Sequence, residues 1–228
     1  SAASYFDKAL RFDPENPELL ERAIMSEVAG GDLDGATKHA EELIEKAPNA
    51  RFPHLVIGVR AMRDGGYAKA RQEFEKVSGN AAAEIAARIG LAYAAFSEGD
   101  FAGASAVIGK MAAGEGVRAF AQYHLAVIED LAGKPDDALK HFEEANKLSD
   151  GESLRILQAY ATHLARTGKT QKAREVYAQF LAKLPANPIV KAALAKLDAG
   201  DVPPRVIAGA KQGLAETFYG IASSLSDE

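Results

Sequence analysis

Apolar residues recur along the chain at helical intervals and nowhere alternate with polar ones over a useful length, so the pattern predicts helices throughout. The pattern also repeats. Gly31, Gly65, Gly99, Gly133 and Gly168 stand 34, 34, 34 and 35 residues apart. Five residues after each comes an alanine: Ala36, Ala70, Ala104, Ala138 and Ala173. Four further on stands a mostly larger apolar residue: Ala40, Phe74, Ile108, Phe142 and Tyr177. One more step of 34 towards the N-terminus reaches Ala2 and Phe6. Three columns in one phase over five periods define an internal repeat.

Each period divides into two helices. The glycine sits where the first should end, because glycine takes the left-handed conformation that closes a helix at little cost. The second helix carries Ala-x3-Phe-x2-Ala spacing, as in Ala138, Phe142 and Ala145, and so presents one apolar face. Pro14, Pro48 and Pro185 stop second helices, since proline cannot continue one. Asn16-Pro17 and Asn187-Pro188 open the next first helices, with proline suited to the first turn.

A 34-residue helix–turn–helix unit with glycine between the helices, Ala-x3-Phe in the second and proline at its end resembles the tetratricopeptide repeat family. The first helices also carry that family's large–small pair, at Ile57-Gly58, Leu91-Ala92, Leu125-Ala126 and Tyr160-Ala161. The family's tryptophan is missing, its column reading Leu20, His54, Arg88, Gln122 and Leu157. The resemblance implies an all-α fold: a right-handed α-solenoid, or superhelix, of 34-residue repeats.

The expected organisation is a solenoid over 1–200. It holds a half repeat at 1–16, five full repeats at about 17–50, 51–84, 85–118, 119–153 and 154–187, and a further first helix at 188–199. Val202-Pro203-Pro204 breaks the rhythm, so 201–228 reads as a linker and the helix of an interrupted repeat. In that stretch Ile207, Leu214, Phe218, Ile221 and Leu225 keep helical spacing, and Ser226-Asp227-Glu228 falls where the turn glycine is due. Natural solenoids end in polar capping repeats, so the expectation is a piece of a longer protein. The alanine-rich repeats resemble long alphaproteobacterial tetratricopeptide proteins. Members of that group commonly carry a secretory signal upstream, so the resemblance implies a periplasmic or envelope setting, with the cytoplasm as the alternative.

Composition removes several function classes. Of 228 residues 46 are alanine, which suits closely packed helices. With no Cys there is no thiolate nucleophile, Cys-ligated metal or disulfide. Lys and Arg number 27 against 32 Asp and Glu, a net charge of −5, which argues against nucleic acid as a partner. No run of 18 apolar residues predicts a membrane span, and residues 1–15 carry Asp, Lys, Arg and Glu, unlike a signal peptide. His39, His54, His124, His141 and His163 form no metal-ligand spacing and read as surface or groove histidines. Neither a Gly-x-Ser-x-Gly elbow nor a phosphate-binding glycine loop occurs, and nothing calls for a cofactor. The reading is non-enzymatic.

In the tetratricopeptide family the first helices line a concave groove. Carried over, that implies a partner-binding stripe of Phe52, Leu55, Val59 and Met62 from the second repeat. Ile89, Tyr93 and Phe96 extend it in the third, and Phe120, Tyr123 and Val127 in the fourth. The first repeat (Glu18, Glu21, Met25) and the fifth (Arg155, Gln158, Thr162) are more polar. An apolar stripe between polar repeats suits an amphipathic helix or apolar peptide. Alternatively these residues pack between neighbouring first helices, or the tail folds back over them. The basic–asparagine set with which some family members grip a C-terminal carboxylate is absent from these columns. The expected function is a non-catalytic scaffold binding a peptide or helix of a partner protein. The alternatives are a self-assembly module, hence a homo-oligomer, or the regulatory arm of a larger protein.

Overall fold

The computed structural model describes residues 2–226, with side chains placed for 5–6, 8–114 and 116–218. Among the described residues every regular element is helical. The chain divides into two compact units, one running to Asp100 and joined by the stretch from Leu214, the other spanning Phe101–Gly213.

The first unit holds α1 (Ala2–Leu10), α2 (Pro17–Gly30), α3 (Leu33–Lys46), α4 (Pro53–Asp64), α5 (Tyr67–Phe74) and α6 (Ala81–Ser97). Its boundaries follow local chemistry. Asn16 accepts hydrogen bonds from the Glu18 and Leu19 amides with Pro17 in the first turn, so α2 begins with its orphan donors satisfied. Each helix packs on the next, and α4 also meets α6. Leu10, Leu20, Ile24, Ala36, Ala40, Leu43, Val56 and Ile57 form one continuous core, with Phe6 and Phe52 packed against it.

The third first helix starts four residues earlier than the repeat count places it. Asn80 supplies the reason: its side chain accepts from the Ala83 amide at 2.9 Å and caps the helix at Ala81. The preceding α5 ends at Phe74, and a turn through Gly79, at φ +87°, carries the chain onward.

The second unit holds α7 (Phe101–Met111), a 3-10 turn (Glu115–Val117), α8 (Arg118–Leu131), α9 (Pro135–Leu148), α10 (Leu154–Arg166), α11 (Thr170–Lys183) and α12 (Pro188–Asp198). Residues 201–209 have no helical structure, and α13 (Ala210–Ser226) begins at the end of this unit. The side chains of Ile221 and Leu225, and residues 227–228, lie outside the described part. Asn187 caps α12 by accepting from the Val190 amide at 3.0 Å. Successive helices from α7 to α12 pack on one another.

All five glycines of the repeat series lie after first helices with φ between 74° and 84°, a region that an L side chain enters only at a cost. All five alanines of the next column are fully buried, and the third column is buried from Ala40 to Tyr177. The small residue lets helix backbones approach, and the aromatic or aliphatic one fills the space between neighbouring first helices.

Candidate functional site

Within the second unit, residues 201–207 lie across the faces of α8 and α10, the first helices of the fourth and fifth repeats. The anchor is Arg205. Its Nε donates to Asp130 Oδ2 at 2.7 Å, and Nη2 donates to the Asp130 carbonyl at 3.1 Å. Asp130 stands in the last turn of α8, where unpaired carbonyls and the negative end of the helix dipole favour a cation. Arg166 Nη1 donates to the same carboxylate oxygen at 2.9 Å, and His163 Nδ1 lies 3.0 Å from Oδ1. His163 Nε2 lies 3.0 Å from the Pro135 carbonyl, which ties α10 to the start of α9.

This cluster is electrostatically unequal. Burial alone would raise the Asp130 pKa, but the hydrogen bonds from His163 and Arg205 and the charge of Arg166 outweigh burial. They hold the carboxyl well below its ordinary range, so it is an anion at any working pH. The Asp130 side chain is 11% exposed and that of Arg205 37%.

Around this contact the surface is apolar. Val127, Phe142, Ala159 and Thr162 line one small pocket together with Val206 and Ile207, and Ile207 is buried. Beside it opens a cavity of about 610 Å³ lined by Gln158, Thr162, Ile189, Ala193, Lys196 and Val202 among others. Ile189 and Val202 leave apolar surface exposed there.

The ten residues of the expected stripe divide between the units, seven in the first and three in the second. Leu55, Met62, Ile89, Tyr93, Tyr123 and Val127 are buried. Phe52, Val59, Phe96 and Phe120 are half-buried. Two of them turn inwards for visible reasons. Tyr123 packs on Phe142 of its own helix pair, with ring centroids 6.5 Å apart, and Phe52 rests on the core beneath α4. Phe120 meets His124 edge-on at 4.6 Å. Val127 alone of the ten borders the Arg205 contact.

Reasoning from sequence missed Asp130, Arg166 and Arg205, and passed over His163. The signal was present: Asp130 follows Val127 by three residues, so both occupy one helix face. The histidines are not bare surface groups either. His39 Nδ1 lies 2.9 Å from Glu27 Oε2, His141 Nδ1 lies 2.5 Å from Glu129 Oε2, and His54 Nδ1 lies 2.7 Å from Glu73 Oε2. Glu27 and Glu129 are buried and three repeats apart, each twelve residues before its histidine. Among the described residues no three His, Cys, Asp or Glu stand close enough to hold a metal, and no helix is long and apolar enough to cross a membrane.

Comparison with known proteins agrees with this architecture. Residues 131–197 match the family model described as tetratricopeptide repeat. No curated protein matches the sequence. Among solved structures, PilW, a widely conserved type IV pilus biogenesis factor, superposes with a TM-score of 0.66 at 20% identity, over 84% of this chain and 88% of its own. A tetratricopeptide repeat protein from Parabacteroides merdae gives 0.62 at 16% identity, over 86% of this chain and 76% of its own. YrrB, described as a TPR protein with an unusual peptide-binding site, gives 0.54 at 16% identity, over 84% and 98%. At these identities the likeness is one of fold. Residues 131–197 thus carry tetratricopeptide-repeat sequence, and with the helix pairs that precede them the chain has the all-α fold of tetratricopeptide-repeat solenoids.

Proposed function

We propose that the chain is a non-catalytic interaction scaffold whose first-helix face binds a segment of a partner protein. One observation carries this reading: the face of α8 and α10 already accommodates an extended stretch of polypeptide, residues 201–207, through a salt bridge and a small apolar contact. A surface that holds one extended segment has the chemistry to hold another. The neighbouring cavity, with its exposed apolar rim, supplies room beyond that stretch. The peptide-binding site attributed to YrrB is consistent with such a role for this fold.

A peptide-display library panned on the 228-residue chain tests the reading. Enriched peptides whose binding is lost when Gln158→Trp fills the cavity support it. Should nothing enrich, while light scattering reports an oligomer independent of concentration, the self-assembly alternative replaces it.

A further inference from the structure

We propose that the face around Asp130 is a guanidinium-reading site for an extended segment of a partner protein in which arginine follows prolines, and that residues 202–207 fill it in cis. This rests on the scaffold reading and adds to it the chemistry of the partner.

The contact has the asymmetry of a receptor and its ligand. The acid is buried and fixed by its own unit, whereas the arginine reaching it stays partly in solvent. Removing Arg205 leaves Asp130 bonded to both His163 and Arg166, so the carboxylate keeps its place and charge with the occupant gone. The site therefore outlasts its occupant. The occupant, in turn, is lightly held. Among the described residues the 202–207 backbone makes no backbone–backbone hydrogen bond; Arg205 supplies the hydrogen bonds that hold it, beside the buried Ile207 and the half-buried Pro203 and Val206.

Pro203 and Pro204 suit the role. They lack amide hydrogens that would need partners, and they hold the chain extended before binding, which lowers the entropic cost of docking. Arginine is specified over lysine by geometry. Nε and Nη2 address two different acceptors, a carboxylate and a main-chain carbonyl, from a fixed planar fork, whereas a lysine would have to meet both from one nitrogen on a flexible stem. The unfilled cavity lies alongside Val202, Pro203 and Pro204, so a partner with a larger apolar residue ahead of its arginine would fill space that this chain leaves open.

The test uses the full chain carrying Arg205→Ala and the labelled peptide Asp-Val-Pro-Pro-Arg-Val-Ile-Ala-Gly, followed by fluorescence anisotropy. Vacating the site should tighten peptide binding about tenfold over the unsubstituted chain, and lysine in place of the peptide's arginine should weaken it about as much. Adding Asp130→Asn should remove the binding. Arg205→Lys, which keeps a charge but loses one acceptor, is read in parallel in case the alanine variant melts early. Equal binding of a peptide with alanine for arginine overturns the proposal, as does no gain from either variant. A wild-type dimer that dissociates on adding the peptide would assign the site to a second copy and overturn it too. Display-selected peptides lacking arginine that still bind would leave the scaffold reading standing and remove this inference alone.

Discussion

A Cβ built on Gly58 would stand 2.6 Å from Cδ1 of Phe74, closer than real carbon contacts come. A Cβ built on Gly90 would meet the other edge of the same ring, 2.7 Å from Cε2. The ring of α5 is thus clasped by bare backbone from α4 and α6. Gly58→Ala would gain up to about 1 kcal/mol from helix propensity but must displace a buried ring, and overpacking of that kind costs about 1–3 kcal/mol. A net loss of stability is expected, seen as a lower melting temperature. Phe74→Leu should recover part of it in the double variant.

Tyr93 and Phe96 are three residues apart on α6 yet should behave differently. Tyr93 is fully buried and Phe96 half-buried. Tyr93→Ala should cost about 3–5 kcal/mol in denaturant unfolding, as removal of a large buried ring does. Phe96→Ala should cost markedly less, and any loss of peptide capture should exceed its loss of stability. Equal destabilisation by the two would place Phe96 in the core.

Asp130 and Arg205 should also part company. Removing the acid leaves three cationic or proton-donating side chains facing one another, so Asp130→Ala should destabilise by about 3 kcal/mol. Arg205→Ala leaves no buried charge unpaired and should cost less than about 1 kcal/mol. Thermal melts of the two variants, run in the same buffer, give the comparison.

Two histidines set opposite pH dependences. Burial pushes His124 down to about 3, from an ordinary value of 6.5. As pH falls from 6.5 towards 3, the unfolded chain takes up a proton that the folded chain refuses. Stability should therefore drop by up to about 1.4 kcal/mol per pH unit from this group. The hydrogen bond that His141 donates to the Glu129 carboxylate raises its pKa, so its contribution is complete below 6.5 and lost as pH rises through the raised value. Urea unfolding at about pH 5 and pH 8 resolves the signs. His124→Leu should flatten the loss on acidification, and His141→Ala should cost more stability at the lower pH.

The repeat, its helix pairs and its packing columns were legible in the sequence because they depend on local rules. A left-handed turn needs glycine at Gly31 or Gly168, a cap needs Asn16 or Asn187, and close crossing needs Ala70 or Ala138. Each requirement is met by one residue within a few positions, so spacing reveals it. The start of α6 slipped by a turn because Asn80, outside the repeat's columns, caps it. The binding surface was a different matter. Which side of Tyr123 faces Phe142, and that Phe52 settles on core, follow from how helices pack, and apolar character alone does not distinguish a groove from an interior. The pairing of Arg205 with Asp130 spans 75 residues and no periodicity links them. The Pro-Pro break that ended the sequence pattern is the stretch that tertiary structure lays across α8 and α10, where a buried carboxylate at a helix end draws in a cation.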